Sequence, residues 1–290
     1  MLRRLLLMLV SCCIAAAAFC QEGYRAIFSG GKVYLKTETR FQQVLPGQQM
    51  PADAKVELVG ESMLVLMDGA GRITSFSLSG KYDLAALNLA DVADSSAFIR
   101  QVWDEYFEHS ALPTSVEEAL LAESLSTQYP FELTIPSSTQ VFGNRLHLNV
   151  PGSNRKSYQA QLINEFGEVF EKVDVTEGSI SLDLLRRDLV WKPEITLRIA
   201  SADGAQSGPF YVLDKLSPAN YEIVERLMRK HFHDPGFEMQ LTQLAFFENR
   251  WLFADALTIL NDLEKEYGGL MKEFSRQYFF RNGFYAMSKE

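Results

Sequence analysis

The chain has 290 residues, and its 37 acidic side chains outnumber its 28 basic ones, for a net charge of −9 at pH 7. With no basic stripe to offset it, this balance argues against nucleic acid and anionic lipid as partners. Beyond the first twenty residues no apolar run reaches membrane length, so we expect no membrane span there. The remainder is long enough for two or three small domains.

The first twenty residues have the pattern of a signal peptide. Arg3 and Arg4 form a short basic region, and residues 5–19 are an almost unbroken apolar run, too short to span a bilayer comfortably. Ala18 and Cys20 are small, as signal peptidase requires at the third and first positions before its cut. We therefore predict cleavage after position 20 and a location in the periplasm or outside the cell. A retained membrane anchor is the alternative.

The cysteines agree with export. Cys12, Cys13 and Cys20 all lie in the segment to be removed, so the mature chain has no thiol for a disulfide, a metal site or a nucleophile. A thiol-free chain suits an oxidising compartment. A lipid anchor at Cys20 is a less favoured alternative, because Phe19 is bulky where a lipoprotein signal has a small residue.

Residues 21–90 predict a small β-domain. Turns rich in glycine and proline separate short runs of β-branched and apolar residues, which is typical of a small barrel or sandwich. One such turn is expected at Gly30 and Gly31. The predicted strands are 25–28, 32–37, 55–59, 63–67 and 73–78.

Five short motifs of this region form a recognisable series. They are Gly-Gly-Lys-Val-Tyr-Leu-Lys at 30–36, Val-Leu-Pro-Gly-Gln-Gln-Met at 44–50, Val-Glu-Leu at 56–58, Leu-Val-Leu-Met-Asp at 64–68 and Gly-Lys-Tyr-Asp-Leu at 80–84. In these motifs the chain resembles the periplasmic domain of FecR-like proteins. The resemblance covers residues 30–84 and implies a small β-fold and an envelope setting.

Residues 91–128 predict a helical linker. A first helix is expected at 95–108, where apolar side chains share one face and acidic or polar ones cover the other. The apolar positions are Phe98, Val102, Trp103, Tyr106 and Phe107. A second helix is expected at 115–126, bracketed by Pro113 and Pro130.

Residues 129–215 return to a strand pattern. Leu146 and Leu148 alternate with His147 and Asn149, as in a strand with one buried face. Seven short strands predict an immunoglobulin-like sandwich, closer to the fibronectin type because the cysteine pair of antibody domains is absent. The predicted strands are 131–135, 145–150, 158–163, 169–173, 179–182, 195–200 and 210–213.

Residues 216–290 predict a bundle of four α-helices. Ser217 and Pro218 are a helix start, since serine caps free N–H groups and proline suits the first turn. The second and third helices resemble one tetratricopeptide unit, with an ordinary helical hairpin as the alternative. The residues that carry this resemblance are Leu244, Ala245, Phe247, Ala256, Leu260 and Leu263.

The predicted fold class is therefore α+β and multidomain. A signal peptide at 1–20 precedes a FecR-like β-domain at 21–90 and a helical linker at 91–128. An immunoglobulin- or fibronectin-like sandwich at 129–215 and a TPR-like helical region at 216–290 follow.

The sequence contains none of the standard catalytic spacings. It lacks the Gly-x-Ser-x-Gly, His-Glu-x-x-His and phosphate-loop motifs, so we predict no catalytic residues and no cofactor. His231 and His233, beside Asp234, are the one pair with metal-ligand character. Zinc normally needs a third protein ligand, so an exposed helix end is favoured and no metal is predicted.

Aromatic residues concentrate near the C-terminus, where a helical hairpin cannot bury them all. We expect an exposed patch with Phe247, Arg250 and Trp251 as binding residues. The leading hypothesis is a non-enzymatic envelope protein that acts as an interaction or scaffold module for a protein partner. The first alternative is a periplasmic protein that binds a glycan or small molecule, and the second is a hydrolase with an unrecognised site.

Overall fold

A computed structural model describes residues 23–37, 40–87, 95–109, 133–150, 158–176, 178–233 and 236–283. The fold is α+β, with most of the regular structure in strands, and the chain divides into two compact units at 1–100 and 101–290. The predicted signal peptide and the predicted helix at 115–126 lie outside the described residues.

The first unit is built on one antiparallel sheet of six strands. Two long strands pair at its centre, and two shorter strands flank each of them. The bounds are β1 Tyr24–Lys36, β2 Phe41–Gln43, β3 Gln49–Met50, β4 Lys55–Asp68, β5 Ile73–Phe76 and β6 Gly80–Asp83. Strands β2 and β3 pair with β1, and β5 and β6 pair with β4.

The turn predicted at Gly30 and Gly31 is wrong, because β1 continues through it. The register shifts between Gly30 and Lys32, where three residues of β4, 60–62, stand opposite Gly31, so the bulge lies in β4 and both strands bend there. Gly31 itself has a φ of +77°. Ser62 stabilises the bend: its Oγ accepts a hydrogen bond from the Lys32 N–H at 3.0 Å and donates one to the Val59 carbonyl at 2.7 Å. Two predicted pairs of short strands are thus two long, bent strands.

Bending lets both halves of the sheet enclose one apolar core. Residues on both sides of each bend contribute, including Ala26 and Leu35 of β1 and Val56 and Leu66 of β4. A short 3-10 turn at Leu84–Ala86 follows β6, and Asp83 caps it by accepting a hydrogen bond from the Ala85 N–H. The sequence pattern predicted a small β-domain here, and the bulges explain how so few residues form a core.

The described part of the second unit contains two sheets. A five-stranded sheet has the order β10-β9-β12-β13-β7, in which β7 is parallel to β13 and the other pairs are antiparallel, and a two-stranded sheet joins β8 and β11. The bounds are β7 Ser138–Val141, β8 Arg145–Asn149, β9 Tyr158–Ile163, β10 Val169–Asp174, β11 Ser179–Asp183, β12 Glu194–Ser201 and β13 Ser207–Lys215. Alternate side chains of both sheets are buried, among them Leu146, Leu148, Leu162, Leu197 and Leu213.

Six of the seven strands predicted in this region are confirmed, but the one at 131–135 is wrong over its described part. Leu133 and Ile135 are buried without belonging to a strand, and the Leu133 N–H donates to the Tyr211 hydroxyl at 2.8 Å. Pro136 follows and has no N–H to give to a ladder. The strand begins two residues later, as β7.

Five helices accompany the strands among the residues that the structure describes. Helix α1 is Ser96–His109, close to the predicted 95–108, and the C-terminal helices are α2 Pro218–His231, α3 Phe237–Glu248, α4 Phe253–Tyr267 and α5 Lys272–Arg281. Ser217 caps α2 by accepting a hydrogen bond from the Asn220 N–H. A 3-10 turn at Gly268–Leu270 separates α4 from α5. The four helices predicted from 216 onward are thus confirmed.

Helix α4 is joined to strand β8 and the residues before it through a row of polar side chains. Thr258 Oγ1 accepts a hydrogen bond from the His147 N–H at 3.0 Å, and Asn261 Nδ2 donates to the His147 carbonyl at 2.7 Å. One turn earlier, the Asp255 carboxylate accepts hydrogen bonds from the backbone N–H groups of Phe142 and Gly143 at 2.9 and 2.6 Å. The helix thereby occupies the edge of β8 that faces away from β11.

The bend at Gly31 gives a first prediction. A Cβ at this position would lie 2.4 Å from the Glu61 carbonyl oxygen, so Gly31→Ala adds a collision to the cost of placing alanine at positive φ. The left-handed conformation alone costs about 1–2 kcal/mol, and overpacking costs about 1–3 kcal/mol more. We expect the urea midpoint of G31A to fall well below that of the wild type.

Gly60→Ala is the matched control for Gly31→Ala. Gly60 has a φ of +67°, but a Cβ there would meet no atom within 4 Å. G60A should therefore lose only the conformational contribution. Equal losses in the two variants would contradict the packing argument at the bulge.

Asp255 gives a second prediction, because burial raises the pKa of this carboxyl from 3.8 to about 6, although the hydrogen bonds from Phe142 and Gly143 lower it. The folded protein therefore holds this proton to a higher pH than the unfolded chain does. Its contribution to stability is complete below about pH 4 and is lost as the pH rises to about 6. Relative to Asp255→Asn, the free energy of unfolding of the wild type should fall by about 3 kcal/mol in all between about pH 3 and about pH 7, most of it between about pH 4 and pH 6.

Urea denaturation of both proteins at a series of pH values measures this difference. Comparison with D255N cancels the titration of the other groups. A difference that stayed constant, or that changed in favour of the wild type as the pH rose, would contradict the assigned cause.

Candidate functional site

The candidate site begins where the chain passes from α3 to α4. The N–H groups of Trp251 and Leu252 donate to the carbonyls of Glu248 and Phe247, each at 3.0 Å, and close the end of α3. Trp251 has a φ of +61° and is the single non-glycine residue with positive φ among the residues that the structure describes. This left-handed position at a helix end is commonly taken by glycine.

The Trp251 side chain is 71% exposed and lies at the rim of a cavity of about 360 Å³, here named the Trp251 groove. Its ring meets that of Phe253 edge-on, with the ring centroids 5.6 Å apart. The groove is lined by Tyr106, Pro136, Glu248, Asn249, Trp251, Phe253, Arg281 and Asn282. Aromatic rings therefore share the groove with amide and charged groups.

A buried ion pair forms part of the groove. Arg281 donates from Nε and Nη2 to the two carboxylate oxygens of Glu248, each at 2.8 Å, and Nη2 also donates to the Tyr106 hydroxyl. The guanidinium carbon lies 4.3 Å from the centroid of the Tyr106 ring. Asn282 adds a hydrogen bond from Nδ2 to Glu248 at 3.1 Å. These contacts join the ends of α3 and α5 to α1.

The surroundings of this cluster shift the pKa values of Tyr106 and Arg281. Burial raises the pKa of Tyr106 above its ordinary value of 10. Burial by itself would lower the pKa of Arg281, but Tyr106 and Glu248 raise it beyond its ordinary value. Arg281 therefore stays charged and Tyr106 stays a neutral phenol across physiological pH. The hydrogen bonds among these side chains make the cluster a fixed wall of the groove.

The groove offers hydrogen-bond acceptors to a ligand. Asn249 uses its Nδ2 to donate to the Val102 carbonyl at 2.8 Å, and Asn282 uses its Nδ2 on Glu248 and on the Tyr278 carbonyl. Within the described part of the chain, neither amide oxygen receives a hydrogen bond. The groove can therefore hold an apolar group against its rings and accept N–H or O–H donors beside it.

The structure places the three predicted binding residues in different environments. Trp251 lines the groove, whereas Phe247 is 4% exposed and packs in the core against the rings of Phe142 and Phe246. Arg250 lies with its guanidinium 3.9 Å from the centroid of the Phe246 ring, and burial lowers its pKa. The groove lining thus includes Trp251 but neither of the other two.

Sequence reasoning missed most of the groove. Glu248 and Arg281 lie 33 positions apart, and Tyr106 lies a further 142 positions before Glu248, so no local pattern connects them. One signal was present: the turn between two helices carries a tryptophan where glycine is the ordinary residue.

The described residues were also compared with the requirements of a metal site and of a membrane-spanning helix. In that part of the chain, no three His, Cys, Asp or Glu side chains come together as a metal ion would require. Over the same residues, none of the helices combines the length and apolarity needed to cross a bilayer.

Comparison with known proteins identifies no family. No family model and no curated protein matches the chain. One matching solved structure is a "putative membrane anchored protein" from Corynebacterium diphtheriae, with 12% sequence identity and a TM-score of 0.22. The match covers 68% of this chain and 44% of that protein, so the aligned part spans less than half of its length.

The buried ion pair gives a third prediction. Glu248→Gln removes the countercharge of Arg281 in a place where both side chains are about one-tenth exposed. Breaking a buried pair on one side costs about 3–5 kcal/mol, because the remaining charge stays desolvated. We expect thermal denaturation to show a loss of this size.

Glu273→Gln is the matched control, since Glu273 pairs with Arg276 through the same groups at an exposed surface. Exposed pairs contribute less than about 1 kcal/mol. A similar small loss in both variants would contradict the structural role assigned to Glu248 and Arg281.

Proposed function

We propose that this chain is an exported, non-catalytic protein of the cell envelope that binds a protein partner through the Trp251 groove. The observation that carries the proposal is Trp251 itself, a large apolar side chain held exposed in a backbone conformation that tryptophan disfavours. The signal-peptide pattern at 1–20 and the cysteine-free remainder support the envelope location.

The backbone strain supports a binding role. An L-residue in the left-handed conformation costs about 1–2 kcal/mol relative to glycine, and an exposed tryptophan recovers little of it by burial. Residues held in such conformations concentrate at binding and active sites. Tryptophan is also enriched among the few residues that dominate protein interfaces. The position therefore suits recognition better than folding.

The groove favours a particular kind of partner. The rings of Trp251, Phe253 and Tyr106 suit an apolar side chain, and the free amide oxygens of Asn249 and Asn282 suit the N–H groups beside it. An extended or loop segment of a protein provides both. Because the charges of Glu248 and Arg281 neutralise each other, the groove does not select a partner by its charge.

The domain arrangement that we propose accompanies this function. Residues 21–90 are proposed to be a FecR-like β-domain, residues 91–128 a helical linker, and residues 216–290 a TPR-like helical region. For residues 129–215 we propose an immunoglobulin-like sandwich. The order β10-β9-β12-β13 matches the C′-C-F-G sheet of that fold, and β8 with β11 matches strands B and E, which supports the assignment.

A glycan is the alternative ligand for the same groove. An exposed tryptophan face packs well against the C–H groups of a sugar ring, and the amide oxygens could accept its hydroxyl donors. The two ligands differ in what they leave covalently attached after crosslinking, so one experiment separates them.

Trp251→Gly is the variant that tests the proposal, and it gives a fourth prediction. Glycine relieves the strain at positive φ but adds freedom to the unfolded chain, so the free energy of unfolding should change by less than about 1 kcal/mol. Binding to the partner should weaken at least tenfold. A folded, equally stable W251G protein with full affinity would refute the role of Trp251.

The partner is found by crosslinking in intact cells. A photoreactive aromatic amino acid at position 251 should form a discrete protein adduct. The same amino acid at Trp191, which is 87% exposed and outside the groove, is the control. A glycan adduct at 251 would favour the alternative. The same adducts from both positions would contradict the proposed site.

A further inference from the structure

A second surface of the larger unit also has the features of a ligand site. The β8–β11 pair turns its leucine and isoleucine side chains to the core and a polar row outward. In the register of the two strands, His147 lies opposite Ser181, and Asn149 lies opposite Ser179. These four side chains form a polar floor two residues long and two strands wide.

Walls on two sides turn this floor into a cavity of about 610 Å³, here named the polar trough. Helix α4 provides Asn261, Glu264 and Lys265, which its three- and four-residue spacing places on one face. The end of β10 and the residues after it provide Val173, Asp174 and Thr176. The trough is separate from the Trp251 groove and shares no lining residue with it.

A hydrogen bond joins the floor of the trough to its helical wall, and other hydrogen-bonding groups stay free. Asn149 Nδ2 donates to Asn261 Oδ1 at 2.8 Å, which fastens the floor to the wall. Among the described residues, the side chains of Ser181, Thr176 and Lys265 have no hydrogen-bond partner. The site therefore presents both donors and acceptors that are open to a ligand.

The lining selects the class of ligand. Val173 is its one apolar side chain, so the trough does not suit a lipid or a large aromatic group. The lining carries two carboxylates, Asp174 and Glu264, and one ammonium group, Lys265, so the trough does not attract polyanions. Opposed floor side chains are about 5 Å apart across the strands and about 7 Å apart along them, which is the scale of one sugar ring. Hydroxyl groups of a sugar can pair with donors and acceptors alike.

We propose that the polar trough binds a neutral saccharide. The role is additional to that of the Trp251 groove and does not depend on it. His147 Nδ1 lies 3.3 Å from Asp262 Oδ1, and Ser181 is its cross-strand neighbour, but no hydrogen bond joins the Ser181 hydroxyl to the imidazole. A relay for a serine nucleophile is therefore not formed. The proposal is for binding alone, without cleavage of the sugar.

Binding of a saccharide to the trough is the fifth prediction. Titration calorimetry of the full mature chain tests it. The probes are the trisaccharides of glucose in α-1,4 and β-1,4 linkage and of N-acetylglucosamine in β-1,4 linkage. At least one should bind with a millimolar or lower dissociation constant. The double variant Thr176→Val, Ser181→Ala should weaken that binding at least tenfold, since it removes two hydroxyls and little volume.

Two further variants are controls for the site of binding. The variant Thr196→Val, Ser207→Ala removes two hydroxyls from the other sheet and should bind as the wild type does. W251G should do the same, which separates this site from the groove. No binding of any probe, binding that survives T176V/S181A, or binding lost in W251G would each overturn the proposal. Release of shorter sugars would overturn its non-catalytic part.

Discussion

The arrangement of the larger unit depends on how helix α4 satisfies the free edge of strand β8. A strand edge presents N–H and C=O groups that must be paired or left to water. Here Thr258 and Asn261 pair with the N–H and C=O groups of His147, and Asp255 receives two more backbone N–H groups. A helix thus takes the place of the next strand, using side chains where a strand would use its backbone.

This constraint positions both candidate sites. Trp251, just before α4, and Phe253, its first residue, border the groove. Later residues of the same helix form a wall of the trough, namely Asn261, Glu264 and Lys265. Apolar packing alone would tolerate sliding of the helix along the sheet. Directional hydrogen bonds to buried groups do not, since each unpaired group costs about 1–3 kcal/mol. The distance between the two sites follows from that register.

Rigidity and strain occur together at the groove. The pair formed by Glu248 and Arg281 holds the ends of α3 and α5, and the Tyr106 hydroxyl joins it from α1. Three helices are therefore fixed beside the strained turn at Trp251. A turn supported in this way can keep a tryptophan exposed at positive φ, which a flexible turn would relax. The same contacts keep Arg281 charged and Tyr106 a neutral phenol across physiological pH.

The sequence by itself determined the features that depend on near neighbours. Alternation placed Leu146 and Leu148 in the core and His147 and Asn149 outside it, Ser217 and Pro218 marked the start of α2, and the α+β class followed from such patterns. Only the tertiary structure decided that β1 continues and bends at Gly31, because a pair of glycines in the sequence is compatible with a turn and with a bulge. It alone also brought Glu248 to Arg281, and Asn261 to His147 across more than a hundred residues. Those contacts depend on how the whole chain packs, and the local periodicity of apolar residues in the sequence does not indicate them.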